Sequence, residues 1–155
     1  MRGVVLILVI ILTAGVFFII ENNKVPANIG VHNGKLSELK KSENGVSSQT
    51  SQDSKKVEPL AFNGDVAETK QALIEAFDEC GAYEININTE NYIHVIFISE
   101  TMKFKDDLEI LIDTKNNLVQ YKSQSRLGYS DMGVNLDRYN KISKYYTKRL
   151  ETLEN

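Results

Sequence analysis

The sequence predicts an α+β fold with an N-terminal transmembrane helix, followed by a helix, a four-stranded antiparallel meander and a long C-terminal helix packed on the sheet. Three observations predict it. The run Val4–Ile20 carries no charge and no polar stripe. Residues 83–123 hold four strand-like segments joined by short connections, which make antiparallel neighbours. The flanking stretches Val66–Cys80 and Leu136–Leu153 carry apolar residues at helical spacing.

Composition bounds the function. The 155 residues suit one ordinary domain plus an appended segment. The apolar share of 42% and charged share of 25% are those of a globular chain. Net charge is -3, with 18 basic residues against 21 acidic, so no field draws nucleic acid and no nucleic-acid partner is expected. The single Cys excludes an intrachain disulfide and a cysteine-based zinc site. His32 and His94 lack metal-ligand spacing, and no cofactor or metal is expected.

Residues 1–3 read as a short cytoplasmic, positive n-region and residues 4–20 as a transmembrane signal-anchor. At ~1.5 Å per residue the run makes a helix of ~25 Å, at the short end of what spans a bilayer. Val25-Pro26-Ala27 offers a loose cleavage site after Ala27. The apolar run exceeds the ~7–15 residues of a signal peptide, which favours an uncleaved anchor. Leu12-Thr13-Ala14-Gly15 begins like a lipoprotein signal, but Val16 stands where the lipidated Cys would be. The expected location is the cell membrane, single-pass, with the bulk of the chain extracytoplasmic. Residues 21–56 are polar and read as a solvated tether, interrupted by apolar residues around an Asn33-Gly34 turn.

The domain is expected over residues 57–155. Pro59 biases Glu58 to extended backbone. Asp65 is a suitable N-cap for the helix Val66–Cys80, and Gly81 suits its end. Cys80 follows Phe77 on one face and reads as a small buried hydrophobe. Tyr83–Asn88 alternates, placing Tyr83, Ile85 and Ile87 on one face. Tyr92–Ile98 is apolar on both faces, as a central strand, or one lying over a second apolar surface, would be. Leu108–Asp113 and Leu118–Ser123 flank a tight turn. In the last helix Ile142, Tyr145, Tyr146, Leu150 and Leu153 form one stripe, with Asn135 as the expected N-cap.

The connector Ser125–Asn135 between the last strand and the last helix concentrates polar chemistry. Gly128 and Gly133 permit backbone angles that other residues avoid. Ser125, Ser130 and Asp131 can bond local amides. Arg126 is a rigid fork of donors, and Asp106 and Asp107 are its expected partners. This reads as a strand-to-helix clamp. The candidate functional or structural cluster is His94, Asp106, Asp107, Ser125, Arg126, Gly128, Tyr129, Ser130, Asp131, Gly133, Asn135 and Arg138.

The run Ser123-Gln124-Ser125-Arg126-Leu127-Gly128-Tyr129-Ser130-Asp131-Met132-Gly133-Val134-Asn135 resembles the signature of the domain of unknown function family 1499 (DUF1499), found in bacteria and plastid-bearing eukaryotes. Ile29–Leu36, Asn44–Gln49, Val57–Leu60, Tyr92–His94 and Phe104–Glu109 are similar to further motifs of that family. The chain departs where the family usually has Cys-Pro and Cys: Glu38-Leu39 and Gly45 stand there, so a thiol role has no residue to carry it. The resemblance implies that Asn28–Leu60 is an ordered arm laid on the domain. It implies no activity.

Three functions compete. The first is a membrane-anchored binding or accessory module of the cell envelope. By fold-level analogy a curved sheet under a long helix suits a hydrophobic ligand. The second is a hydrolase-like enzyme using the connector's polar residues with His94, although no nucleophile elbow is present. The third is a structural protein that binds an envelope partner. A closed apolar cavity would favour the first, and a Ser125 or Ser130 bond to His94 the second.

Overall fold

The computed structural model describes residues 2–153; Met1 of the n-region and the last two expected domain residues, Glu154 and Asn155, lie outside the described residues. The elements in order are α1 (Arg2–Asn23), β1 (Val31–His32), β2 (Lys35–Leu36), β3 (Gly45–Ser47), β4 (Leu60–Ala61), α2 (Val66–Asp78), β5 (Tyr83–Asn88), β6 (Tyr92–Ile98), β7 (Lys105–Asp113), β8 (Leu118–Ser125) and α3 (Val134–Leu153). A short 3-10 turn, Asp53–Lys55, lies between β3 and β4. Helix α1 is long and apolar enough to cross a membrane, and its apolar window is 0% buried against the rest of the chain.

The sheet has six strands, not the expected four. The meander β5-β6-β7-β8 is present, but β3 pairs antiparallel with β8 over Gly45↔Gln124 to Ser47↔Lys122, and β4 pairs with the other end of β8 at Leu60↔Val119. The physical reason is edge protection. Alone, β8 would expose a row of unpaired backbone groups, and the preceding arm covers them. Gly45 lets the arm approach closely, since a Cβ there would sit 2.7 Å from the Ser123 carbonyl oxygen. The arm also carries a small hairpin, β1–β2, which turns through Asn33 and Gly34 at φ 52° and 76°.

One sheet face packs on α2 and α3. Ile93, Val95, Leu108, Ile110 and Tyr121 meet Leu73 and Phe77 of α2 and Ile142 and Tyr146 of α3 in one buried cluster. Asp65 caps α2 by accepting from the Glu68 amide at 2.8 Å. Tyr145 and Leu153 of the expected α3 stripe are exposed instead. The opposite face, carrying His94, Asp107, Glu109 and Lys122, lies under the arm. The clean alternation expected of Tyr83, Ile85 and Ile87 is broken by a bulge at Asn86. Ile85 pairs with Val95 but Ile87 pairs with His94, so the two sit on opposite faces. Ile87 joins Leu36, Tyr92 and Leu111 in a second, smaller apolar cluster beside the arm.

Candidate functional site

Asp106 and Asp107 are neighbours on β7, so the pleat sends their side chains to opposite faces. Each meets its own arginine. On the arm face, Arg126 Nε and Nη2 donate to the two oxygens of Asp107 at 2.9 and 2.8 Å. On the helix face, Arg138 Nη2 donates to Asp106 at 2.6 Å, and its guanidinium lies 4.5 Å from the centre of the Phe97 ring. The expected pairing of Arg126 thus holds for Asp107 and not for Asp106, which belongs to Arg138.

His94 is fully buried beside the first pair. Its Nε2 donates to Asp107 at 2.9 Å, while Nδ1 lies 3.0 Å from the Asn86 amide nitrogen, which donates to it. Burial alone would raise the Asp107 carboxyl. The hydrogen bonds from His94 and Arg126, with the Arg126 charge, outweigh that and hold it below its ordinary value. One step along the same face, Glu109 accepts from Lys122 Nζ, the Tyr92 hydroxyl and the Gly30 amide, each at 2.7 Å. Burial, then the adjacent Glu109 charge, pushes the Tyr92 hydroxyl well up. A cavity of about 10 Å³ lies between arm and sheet, lined by Asp107, Glu109 and Lys122 among others. It has room for about one water-sized molecule.

The arm-face network reaches the N-terminal helix. Asn22, 4% exposed, donates from Nδ2 to the Lys103 carbonyl at 2.7 Å and accepts at Oδ1 from the Lys105 amide at 3.0 Å. Its own carbonyl accepts from Arg126 Nη1 at 3.1 Å. Arg126 therefore joins β7, the connector and the last turn of α1.

The helix face holds the rest of the connector. Asn135 is fully buried and donates to the Asn44 carbonyl, Ser125 Oγ and Asp131 Oδ2, and it accepts from Ser123 Oγ and Arg138 Nη1. It is not the N-cap of α3. Asp131 serves that end by accepting from the amides of Gly133 and Asn135 at 3.0 and 2.9 Å. Asn135 instead bridges arm, sheet and helix. Asn44 donates to the Gly128 carbonyl at 2.6 Å, and Gly128 and Gly133 both have positive φ. Ser130 accepts from the Met132 amide, and Tyr129 is 73% exposed.

The candidate residues therefore divide into three groups. His94, Asp107 and Arg126 share the arm face. Asp106, Ser125, Asn135 and Arg138 share the helix face. Gly128, Tyr129, Ser130, Asp131 and Gly133 form the rim. Ser125 is separated from His94 by the sheet, and among the described residues no serine hydroxyl bonds His94, whose ring nitrogens meet Asn86 and Asp107. Among the described residues no three His, Cys, Asp or Glu side chains converge as a metal site needs. A groove of about 280 Å³ opens beside the rim, lined by Phe104, Leu127, Met132 and Val134 together with Asp106 and Ser130.

Sequence reasoning missed Glu109, Lys122 and Asn22. A signal for the first two is present in the hairpin register. Counting back from the 114–117 turn pairs Glu109 with Lys122, two opposite charges on one face. Asn22 carries no such signal, because its partners, Lys103, Lys105 and Arg126, lie more than eighty residues away.

These features define a class: an α+β domain whose six-stranded sheet is sealed on one side by helices and on the other by an arm rooted in an N-terminal apolar helix. A family model described as protein of unknown function (DUF1499) matches residues 35–145. The chain belongs to that family. No curated protein matches it.

Proposed function

We propose that the protein is a single-pass, membrane-anchored, extracytoplasmic binding or accessory module of the cell envelope, and that it retains α1. The observation that carries this reading is Asn22. Cleavage after Ala27 would strip the Lys105 amide, the Lys103 carbonyl and one Arg126 N–H of their partners. Of these the Arg126 N–H lies in a buried contact, and leaving a buried polar group unpaired costs about 1–3 kcal/mol. A signal peptide has no reason to be built into the domain it precedes, whereas an anchor does.

Binding, rather than catalysis, is supported by the sealing of His94 under the arm, away from the connector's hydroxyls, and by the partly apolar groove at the rim. The test is labelling of Asn116→Cys, in a Cys80→Ser background, with a membrane-impermeant maleimide in intact cells expressing the full chain. Asn116 lies in the exposed β7–β8 turn. Labelling without permeabilisation is expected; labelling that requires permeabilisation places the domain in the cytoplasm and overturns the reading.

A further inference from the structure

Phe104, which lines the rim groove, also touches the apolar helix: its ring packs edge-on against Phe18 at 5.3 Å. Phe18 lies within the uncharged run of α1, four residues before the buried Asn22, or about 6 Å along the axis. The bonds of Asn22 to Lys103 and Lys105 fix this loop to the end of α1. The β6–β7 loop is thereby held level with the last apolar turn of the helix. Around it the surface is unusually apolar. Met132 is 95% exposed, Met102 58%, Val134 48% and Phe104 38%. Lys24 and Lys103 are exposed near the same end of α1, and Lys105 Nζ bonds Asn23. That combination, apolar side chains rimmed by three lysines with one exposed acid, Glu100, in the loop, suits the boundary between acyl chains and phosphate headgroups.

We infer that the β6–β7 loop and the connector rim, with Met102, Phe104 and Met132 at its lip, dip into the headgroup boundary of the same bilayer that α1 spans. The inference rests on the retained-anchor reading. It gives the connector glycines a purpose besides turning the chain. They hold Met132, itself at φ 55°, exposed at the lip of the groove instead of in the core. The domain then lies against the lipid surface, and the β7–β8 turn, at the other end of β7, points away from it.

The test uses the full chain, in a Cys80→Ser background, reconstituted into vesicles of phosphatidylcholine and phosphatidylglycerol doped with headgroup-proximal spin-labelled lipid. Single cysteines at Met132→Cys, Met102→Cys, Asn116→Cys and Phe17→Cys carry an environment-sensitive fluorophore. Quenching at Met132 and Met102 is expected to exceed that at Asn116 by about twofold or more, as for groups held ~5–10 Å into the interface. If Met132 and Met102 match Asn116 while Phe17 is quenched, α1 is inserted and the lip is not at the lipid, which overturns the inference alone. If Phe17 is also unquenched, the retained anchor fails and the inference falls with it. Met132 and Asn116 are exposed, so their replacement leaves the fold intact.

Discussion

The two faces of the sheet solve the same problem with different materials. The helix face is apolar from Val119 to Phe97, and its ion pair, Asp106–Arg138, sits at the edge where the groove opens. The arm face buries two ion pairs and a histidine under a stretch with little regular structure. The difference follows from what covers each face. A helix offers side chains only, because its backbone groups bond one another. An irregular arm must satisfy its own amides and carbonyls, and polar strand side chains together with the arm's own buried lysine do this. Glu109 accepts from Gly30, Gln124 from Lys40, and buried Lys55 donates to the carbonyls of Lys41 and Ser42. The polar face is thus a means of holding an arm, and through Arg126 a means of holding α1.

The largest expected effect comes from breaking the arm-face pairs. Arg126→Ala leaves Asp107 buried without its fork and should lower stability by ~3–5 kcal/mol in chemical denaturation. Lys122→Met should cost about as much, whereas Lys122→Met combined with Glu109→Leu should recover part of the loss: no charge is then stranded, but the Tyr92 hydroxyl and the Gly30 amide lose their acceptor. A double variant as unstable as the single one would show that the pair contributes more than mutual neutralisation. On the helix face, Arg138→Ala should cost less, about 1–3 kcal/mol, since Asp106 borders the groove and water can reach it. Equal losses on the two faces would remove the contrast.

Smaller effects sharpen the comparison. Asp131→Ala removes three accepted hydrogen bonds at the start of α3, from the Gly133 and Asn135 amides and the Asn135 side chain, and should cost ~1 kcal/mol or more, read as a lower melting temperature with the fold retained. The depressed Asp107 carboxyl fixes the sign of an acid effect. Its stabilising contribution is fully present above its unfolded value of ~3.9 and is lost as pH falls through the lower folded value. Melting temperature should therefore decline as pH falls through that range, and the decline should be shallower in Asp107→Asn. An identical acid profile in both would assign the transition to other carboxylates.

Much of the fold was legible because its signals are local. Asp65 capping α2, the four meander strands and the Asn33-Gly34 turn all depend on residues within a few positions of one another. The bulge at Asn86 was not legible, since alternation through Ile85 and Ile87 looks unbroken until β6 supplies the register. Nor were the two added strands, because β3 and β4 are short and their partner lies more than fifty residues on. The family resemblance supplied the ordered arm where composition alone read a tether; the pairing of β3 with β8 gives the physical basis. At the site, Arg126–Asp107 was readable from charge complementarity. The division of Asp106 from Asp107 follows from the pleat, once both are placed inside β7 rather than ahead of it.

The claim that most needs testing is that α1 is part of the mature molecule, rooted by Asn22. It is tested directly by the intact mass of the full-chain protein recovered from carbonate-washed membranes. A mass that includes Arg2–Ala27, in the membrane pellet, is expected. A mass corresponding to a chain that begins at Asn28, or recovery in the soluble fraction, would contradict the claim.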